Sequence, residues 1–428
     1  MKKIHILFAV AILGLLTSCL KDQEDVFDKS SDVRAEEAIA ADYKILAGAE
    51  HGWLMKYYPS PYRTFGGYNV IMKFTQDGKV TVASDITNPK VTRESFYKVT
   101  QSAGVVLSFD TYNDIFHAFS TPDAPLGGSK GEGWQGDYDF EFISASPEKI
   151  VLKGKKSGNY ATMVPMKDDQ WADFLTKIAV VDEEMDFPQY TMKVGNTDVF
   201  ITKSYHNYEM TYATATTDTT IYVPYVVAET GVTFYEPINI NGKEINGFKY
   251  VADSFDFPAT DDANIVLHGI TPPLNETFIL GEWFIAYSKL GAFAQPYWDI
   301  LKKGADGEGE NIGVAFFTTD TSFGIYMTSG LYGLFFNFKY ELIGEDQIKL
   351  YYESKSGTTY EGNADWYVTN AGYGSGMVPF GADKDNPRTF KLTTDNEKSP
   401  SFVILTDLNE PTNVITLTAS PVTDPFDN

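Results

Sequence analysis

Three acidic residues placed two positions apart are the first candidates for catalysis. Asp137, Asp139 and Glu141 alternate with aromatic residues, a pattern typical of a β-strand. Residues two apart on a strand share a face and lie about 6.5–7 Å apart, a separation that overlaps the carboxylate spacing of glycoside hydrolases. The alternative is a half-buried strand whose acids face water. The short D-x-D-x-E pattern favours this alternative, and a glycoside hydrolase remains the second interpretation.

Four aromatic residues in turn-rich segments are candidates for ligand binding. Trp134 lies in a glycine-rich loop, and Trp366, Tyr367 and Tyr373 flank the turn-rich residues 369–372. The apolar face of a Trp or Tyr ring can stack on the C–H face of a sugar, while nearby polar groups bond its hydroxyls. Packing in a protein core is the alternative for each of the four rings.

The sequence gives no pattern for a metal or a cofactor. The histidines are isolated, without the spacing of a zinc site. The acidic residues 306–311 lack the ordered ligand spacing of a calcium loop, which favours a solvated turn. The glycine-rich residues 127–136 match two motifs, that of a nucleophilic serine turn and that of a dinucleotide-binding loop. Both sites require a helix directly after the motif, and no helix follows here. We therefore expect no cofactor and no metal.

Short alternating strands must position these residues. Asp77-Gly78 and Asn241-Gly242 stand between alternating apolar runs, and both dipeptides favour tight hairpins because their residues tolerate positive φ. Turns recur every 8–12 residues, as in sandwiches and barrels. The sequence predicts a mainly β fold of two or three antiparallel sandwich- or barrel-like units with a few short helices.

Apolar periodicity predicts where the main helices lie. A stripe over residues 31–48, with Ser31 as the cap, predicts a first helix. A second stripe predicts a helix over 168–180 with Asp168 at its start. A short helix over 296–303 is expected to end at Gly304.

The order of these elements suggests a domain plan. Residues 1–18 read as a lipoprotein signal peptide and 19–30 as an acidic tether. A β-rich domain over 31–181 follows, and then a β-rich region over 185–428. A further division of that region near 270–280 stays open.

The N-terminus carries an export signal. Lysines at positions 2 and 3 precede an apolar run over residues 4–16, which is too short to span a bilayer because about 20 residues are needed. The LTSC motif that ends at Cys19 resembles a bacterial lipobox, which implies cleavage before Cys19 and its acylation, palmitate included. The alternative is an ordinary secretory signal with a chance cysteine.

The charge of the chain narrows the class of partner. Its formal net charge is −24, which disfavours nucleic acid and anionic lipid as partners. Cys19 is the single cysteine, so stability must come from a large core and not from disulfides.

Several segments together resemble a family of Bacteroidetes surface lipoproteins of unknown function, often encoded beside starch-utilisation-type nutrient-uptake systems. They are LMKYYP at 54–59, GDYDFEF at 136–142, KIVLKGKK at 149–156 and TGVTFYEP at 230–237. The acidic residues after Cys19 likewise resemble the export signal of such lipoproteins. The resemblance implies an outer-membrane, lipid-anchored protein that faces the cell exterior.

The expected function is non-enzymatic binding of a glycan or another nutrient, in association with an uptake system. The implied partners are the outer membrane, a glycan ligand and uptake-complex proteins. The alternatives are a glycan-active hydrolase that uses the acids of residues 137–141, and a structural or adhesive surface protein.

Overall fold

The structure is a computed structural model that describes residues 30–214, 217–354 and 358–427, apart from the side chain of Ser31. The predicted mainly β fold is confirmed: antiparallel strands form a closed barrel, an eight-stranded sheet and a second closed barrel. The chain divides into two compact units. The first holds Tyr190–His268 and the described residues up to Asp186, and the second holds Phe187–Gln189 and the residues from Gly269 onward.

The first barrel closes because its last strand pairs with its first. Gly78 has a φ of 87° in the predicted hairpin between the second and third strands. Large apolar side chains fill the interior, as expected for a barrel of eight strands. The strands are Trp53–Tyr57 (β1), Tyr68–Phe74 (β2), Lys79–Ser84 (β3), Arg93–Gln101 (β4), Val105–Phe109 (β5), Asp139–Ala145 (β6), Ile150–Gly154 (β7) and Tyr160–Pro165 (β8).

Helix α1, Ser31–Leu46, precedes this barrel. The prediction of Ser31 as its cap was wrong by one residue, because the Ser30 side chain accepts a hydrogen bond from the Val33 N–H at 3.4 Å. A serine oxygen in this position satisfies one of the backbone donors that the first turn leaves unpaired.

Helix α2, Trp171–Glu184, follows the barrel and begins three residues later than predicted. The Asp168 carboxylate accepts a hydrogen bond from the Gln170 N–H at 2.9 Å, so it forms a turn before the helix and does not cap it. Leu175, Ile178 and Val181 are the buried side chains of the helix.

The eight-stranded sheet has the order β14-β13-β12-β11-β10-β9-β16-β15. Asn241 and Gly242 both have positive φ, at 51° and 77°, which confirms the predicted tight hairpin between β13 and β14. The strands are Gln189–Val194 (β9), Thr197–Ser204 (β10), Asn207–Ala213 (β11), Asp218–Ala228 (β12), Gly231–Ile240 (β13), Lys243–Lys249 (β14), Asp256–Pro258 (β15) and Val266–Ile270 (β16).

The second barrel makes up most of the second unit. Its strands are Trp283–Phe284 (β17), Ile312–Thr319 (β18), Phe323–Ser329 (β19), Tyr332–Ile343 (β20), Gln347–Tyr352 (β21), Arg388–Thr394 (β22), Phe402–Asp407 (β23) and Val414–Thr418 (β24). Its helices are Leu274–Leu280 (α3), Gln295–Gly307 (α4) and Thr359–Asn370 (α5). Among the described residues, no helix combines the length and the apolar character needed to cross a membrane.

Helix α4 begins near the predicted proline but does not end at Gly304 as expected. It continues to Gly307, and Gly304 instead allows the backbone at Ala371 to approach the helix closely. A Cβ at Gly304 would lie 1.9 Å from the Ala371 carbonyl oxygen, so only a glycine allows this backbone contact.

Candidate ligand-binding site

Helix α5 is fixed against strand β20 by polar contacts at its first turns. Thr358 and Glu361 form a capping box, in which each side chain bonds the other residue's backbone N–H. The same Glu361 carboxylate accepts a hydrogen bond from the buried Asn337 amide. Further along, the Asn363 side-chain amide donates to the Gly333 carbonyl oxygen at 2.9 Å. The helix therefore holds a defined position beside the strand.

A pocket of about 250 Å³ lies beside α5 and β20. Its lining consists of Glu310, Tyr332, Asn363, Trp366 and Tyr367. The Trp366 side chain is 47% exposed and the Tyr332 side chain is 54% exposed. Two exposed aromatic rings, one buried tyrosine, a carboxylate and an amide thus line one surface depression, which is the combination that recognises a ring bearing hydroxyl groups.

A buried chain of hydroxyl groups fixes the carboxylate of this pocket. The Ser329 hydroxyl donates to Glu310 at 3.0 Å, and the Tyr373 hydroxyl lies 3.1 Å from the Ser329 oxygen. Since the single Ser329 proton is already donated, the Tyr373 hydroxyl is the donor of the second bond. Burial raises the pKa of Tyr373 to about 12, so this donor stays protonated at neutral pH.

Tyr367 completes this support from the helix side. Burial raises the pKa of its hydroxyl above the ordinary value, and the negative charge of Glu310 raises it further. The Tyr367 ring lies 4.9 Å from the Tyr373 ring between centroids. The carboxylate of Glu310 is therefore an oriented acceptor, held in place before any ligand arrives.

The structure brings Trp366 and Tyr367 into one pocket and places Tyr373 behind it. The expectation that these rings lie in loops was wrong: the first two belong to α5, and Tyr373 begins a 3₁₀ helix, Tyr373–Phe380. Consecutive helical residues point about 100° apart. Trp366 therefore reaches solvent while Tyr367, at 3% exposed, packs inward.

Trp134 is a core residue of the first unit, which favours core packing, the alternative to ligand binding, for this ring. Its side chain is 3% exposed and stacks on Phe65 at 4.8 Å between ring centroids. Tyr68 and Tyr205 contact it at 5.0 and 5.2 Å. A glycine-rich loop can fold over a barrel core, and a buried indole then contributes packing and not a binding surface.

The three candidate catalytic acids do not share one strand face. Asp137 precedes β6 and is 4% exposed. Its carboxylate accepts hydrogen bonds from the backbone N–H groups of Lys156 at 2.6 Å and Ser157 at 3.1 Å. Asp139 and Glu141 lie on β6 and are partly exposed. The Asp137 carboxylate is used to close a turn, so the triplet expected for a hydrolase is not assembled.

In the part of the chain that the structure describes, no group of three or more His, Cys, Asp or Glu side chains could hold a metal ion. The acidic segment 306–311 contributes Glu310 to the pocket instead. Cys19 lies outside the described residues.

Three of the pocket residues were not predicted from the sequence: Glu310, Tyr332 and Asn363. Glu310 stood in a segment considered only for calcium, and Asn363 carries no local signal. Tyr332 is the first residue of β20, and an aromatic side chain at a strand end, which the core does not require, was the one available hint.

Comparison with known proteins gives a family and no activity. The model of the family described as "Domain of unknown function (DUF4302)" matches residues 23–252, which is more than half of the chain. The pocket lies outside the matched residues. The comparison with curated proteins finds no match.

Bacterial sliding clamps are among the solved structures to which the chain is similar. The β subunit of DNA polymerase from Streptococcus pyogenes is 8% identical, with 91% of this chain and 98% of that chain covered and a TM-score of 0.10. The sliding clamp of Pseudomonas aeruginosa is 9% identical, with 90% and 97% covered and a TM-score of 0.10. At such TM-scores the similarity carries no argument about this protein.

Proposed function

The chain belongs to the DUF4302 family, and from that premise we propose that it is a lipid-anchored surface protein that binds a glycan without transforming it. In this proposal the second barrel carries the binding pocket, and an uptake complex in the outer membrane receives the bound nutrient. The first unit, which holds most of the family match, serves as the body that displays the pocket.

The observation that supports glycan binding is the lining of the α5–β20 pocket. Trp366 and Tyr332 offer two half-exposed rings on which the C–H face of a sugar can stack. Glu310 offers carboxylate oxygens oriented by Ser329, and Asn363 is fixed by its bond to Gly333. A sugar needs both an apolar face and hydrogen-bond partners that are already in place, because reorienting them on binding costs affinity.

Glycan binding is tested with the chain from Leu20 to Asn428, which keeps every described residue. A glycan array identifies bound sugars, and calorimetry measures the dissociation constant for the best of them. We expect Trp366→Ala and Tyr332→Ala each to weaken binding about fivefold to tenfold, since an aromatic contact contributes roughly 1 kcal/mol.

The matched control is Tyr340→Ala. Tyr340 lies on the same strand, β20, is 45% exposed and is not part of the pocket lining, so its removal should leave the dissociation constant unchanged. Absence of binding to every glycan on the array would refute the proposed function. Equal losses in all three variants would refute the assignment of the site.

The membrane anchor is tested separately in cells. The proposal places the acylated Cys19 in the outer membrane with the folded units outside. Cys19→Ala should move the protein from the membrane fraction to the medium or the periplasm. Ser18→Ala, which retains a small residue before the cysteine, should not. Protease added to intact cells should degrade the wild-type protein, and protection from it would contradict exposure at the surface.

A further inference from the structure

A second and larger cavity lies beside the first turn of α5. Its volume is about 630 Å³, within the range of small-molecule binding sites. Four aromatic side chains, Phe316, Tyr326, Phe335 and Tyr360, form part of its wall. Tyr360 is 49% exposed, so its ring is open to a ligand in the way that the Trp366 ring is.

The two cavities are neighbours, because a lining residue of each contacts Gly333. Gly333 on β20 lies beneath Tyr360, since a Cβ there would come 2.7 Å from the Tyr360 ring and 2.8 Å from the Tyr326 hydroxyl. The Asn363 amide bonds the carbonyl of the same glycine. Tyr360 lines the larger cavity and Asn363 lines the smaller one. A ridge of two side chains over Gly333 therefore separates the cavities.

The exposed rings of the two cavities lie close together along α5. Trp366 lies six positions after Tyr360, which corresponds to about 9 Å along the axis of α5. An extended ligand of a few rings can cover that distance. It can then contact an exposed aromatic ring at each end.

The chemistry of the larger cavity resembles that of the smaller one. Threonine hydroxyls and the carboxylates of Glu282 and Asp320 accompany its aromatic wall. Among the described residues that line either cavity, none is Lys or Arg. Carboxylates accept hydrogen bonds from hydroxyl groups and repel carboxylate or sulfate groups. This lining favours an uncharged, hydroxyl-rich ligand with apolar ring faces.

We propose, on the basis of the function proposed above, that the two cavities are consecutive subsites of one groove for an extended, uncharged oligosaccharide. One sugar ring stacks near Trp366 and Tyr332, and a ring further along the same chain stacks near Tyr360. The ridge over Gly333 sets the spacing between the two rings.

The test is the dependence of affinity on ligand length. Calorimetry is performed with malto-, cello- and manno-oligosaccharides of two to eight units, on the wild type and on Trp366→Ala, Tyr360→Ala and Tyr340→Ala. In the series that binds, affinity should rise with length until both subsites are filled and then level off. Tyr360→Ala should lower the affinity of the longest ligand about fivefold and leave that of the disaccharide unchanged. Trp366→Ala should lower both.

A second variant protects the test against a folding defect in α5. Asp320 is an exposed turn residue that lines the larger cavity, and Asp320→Ala should show the same selective loss with long ligands. Oligogalacturonates of equal length, which carry a carboxylate on each ring, should bind at least tenfold more weakly than the uncharged series.

The outcomes separate this inference from the proposed function. If no oligosaccharide binds the wild type, the function itself is refuted. If the wild type binds but affinity does not change with length, or if Tyr360→Ala and Asp320→Ala affect short and long ligands equally, glycan binding stands and the second subsite is refuted. Tighter binding of oligogalacturonates would overturn the uncharged ligand class.

Discussion

The fold disfavours ionisation of the Asp85 carboxyl group. It lies with His206 and Asp182 in the lining of a cavity of about 280 Å³ in the first unit. Its Oδ2 accepts hydrogen bonds from the Asn69 backbone N–H and side-chain amide, both at 2.8 Å. Burial raises the pKa of Asp85 from 3.8 to about 6, although the charge of His206 and the bonds from Asn69 lower it. The informative perturbation is Asp85→Asn, which removes the charge and retains an oxygen acceptor for Asn69.

The size of the effect on stability follows from the difference between the pKa of Asp85 in the folded chain and in the unfolded chain. Between pH 3.8 and pH 6 the folded chain holds a proton that the unfolded chain has released, so stability falls as the pH rises. A difference of about 2 pH units at 1.36 kcal/mol each corresponds to about 3 kcal/mol. Relative to the wild type, Asp85→Asn should therefore gain about 3 kcal/mol of unfolding free energy between pH 3.5 and pH 7. Titrating groups that do not interact with Asp85, such as Asp42, cancel in this difference, whereas His206 does not, because the Asp85 charge raises its pKa.

The assay must report the first unit by itself, because the six tryptophans are shared between the two units. Met55, Met72 and Met163 lie in the core of the first barrel, so their ε-methyl signals are suitable NMR probes. Urea titrations of methyl-labelled wild type and variant at half-unit steps from pH 3.5 to pH 7 give the free energy of unfolding at each pH.

Two results would refute the reasoning. The first is a difference in unfolding free energy between wild type and variant that does not change with pH. It would show that Asp85 ionises in the folded chain as it does in the unfolded chain. A variant that loses relative stability as the pH rises would mean that the carboxylate charge stabilises the fold. Asp110→Asn serves as the control, because Asp110 is an exposed partner of Lys98, and its difference should stay within about 0.5 kcal/mol at every pH.

The remaining predictions concern packing and polar groups of the first unit. His206 places Nδ1 2.7 Å from the Gly67 carbonyl oxygen and Nε2 3.2 Å from an Asp182 carboxylate oxygen, and both of these partners accept. Burial lowers the pKa of His206, but the bond and charge of Asp182 outweigh it and raise that pKa overall. His206→Phe should therefore be more destabilising at pH 6 than at pH 8.5, in urea titrations, because the stabilisation by the imidazolium is lost as the pH rises through the raised pKa. Trp134→Ala should cost about 3–5 kcal/mol of unfolding free energy and leave glycan affinity unchanged in calorimetry, which a binding role for this ring would contradict. Asp137→Ala should cost about 1–3 kcal/mol, because it removes a buried carboxylate that accepts hydrogen bonds from two backbone N–H groups; the double variant Asp139→Ala with Glu141→Ala should cost less than about 1 kcal/mol, and a similar cost for both would contradict this assignment.

Local sequence signals determined the elements of the fold. Alternation predicted the strands, and the dipeptides at Asp77 and Asn241 predicted tight hairpins because few residue pairs tolerate positive φ. Helix ends were less well predicted: Gly304 reads as a stop signal but permits a contact with the backbone of Ala371. Closure of two of the three sheets into barrels was left open, since it depends on the pairing of the first strand with the last.

The site required the tertiary structure. The sequence identified Trp366 and Tyr367 as aromatic residues near a turn, but a ring in the core and a ring at a surface have the same local pattern, as Trp134 illustrates. Glu310 and Tyr332 come from separate segments that meet Trp366 only because α5 packs on β20. Composition and periodicity thus fixed the class of fold and its acidity, because these depend on neighbouring residues alone. The pocket was decided by contacts between distant segments, which no local pattern encodes.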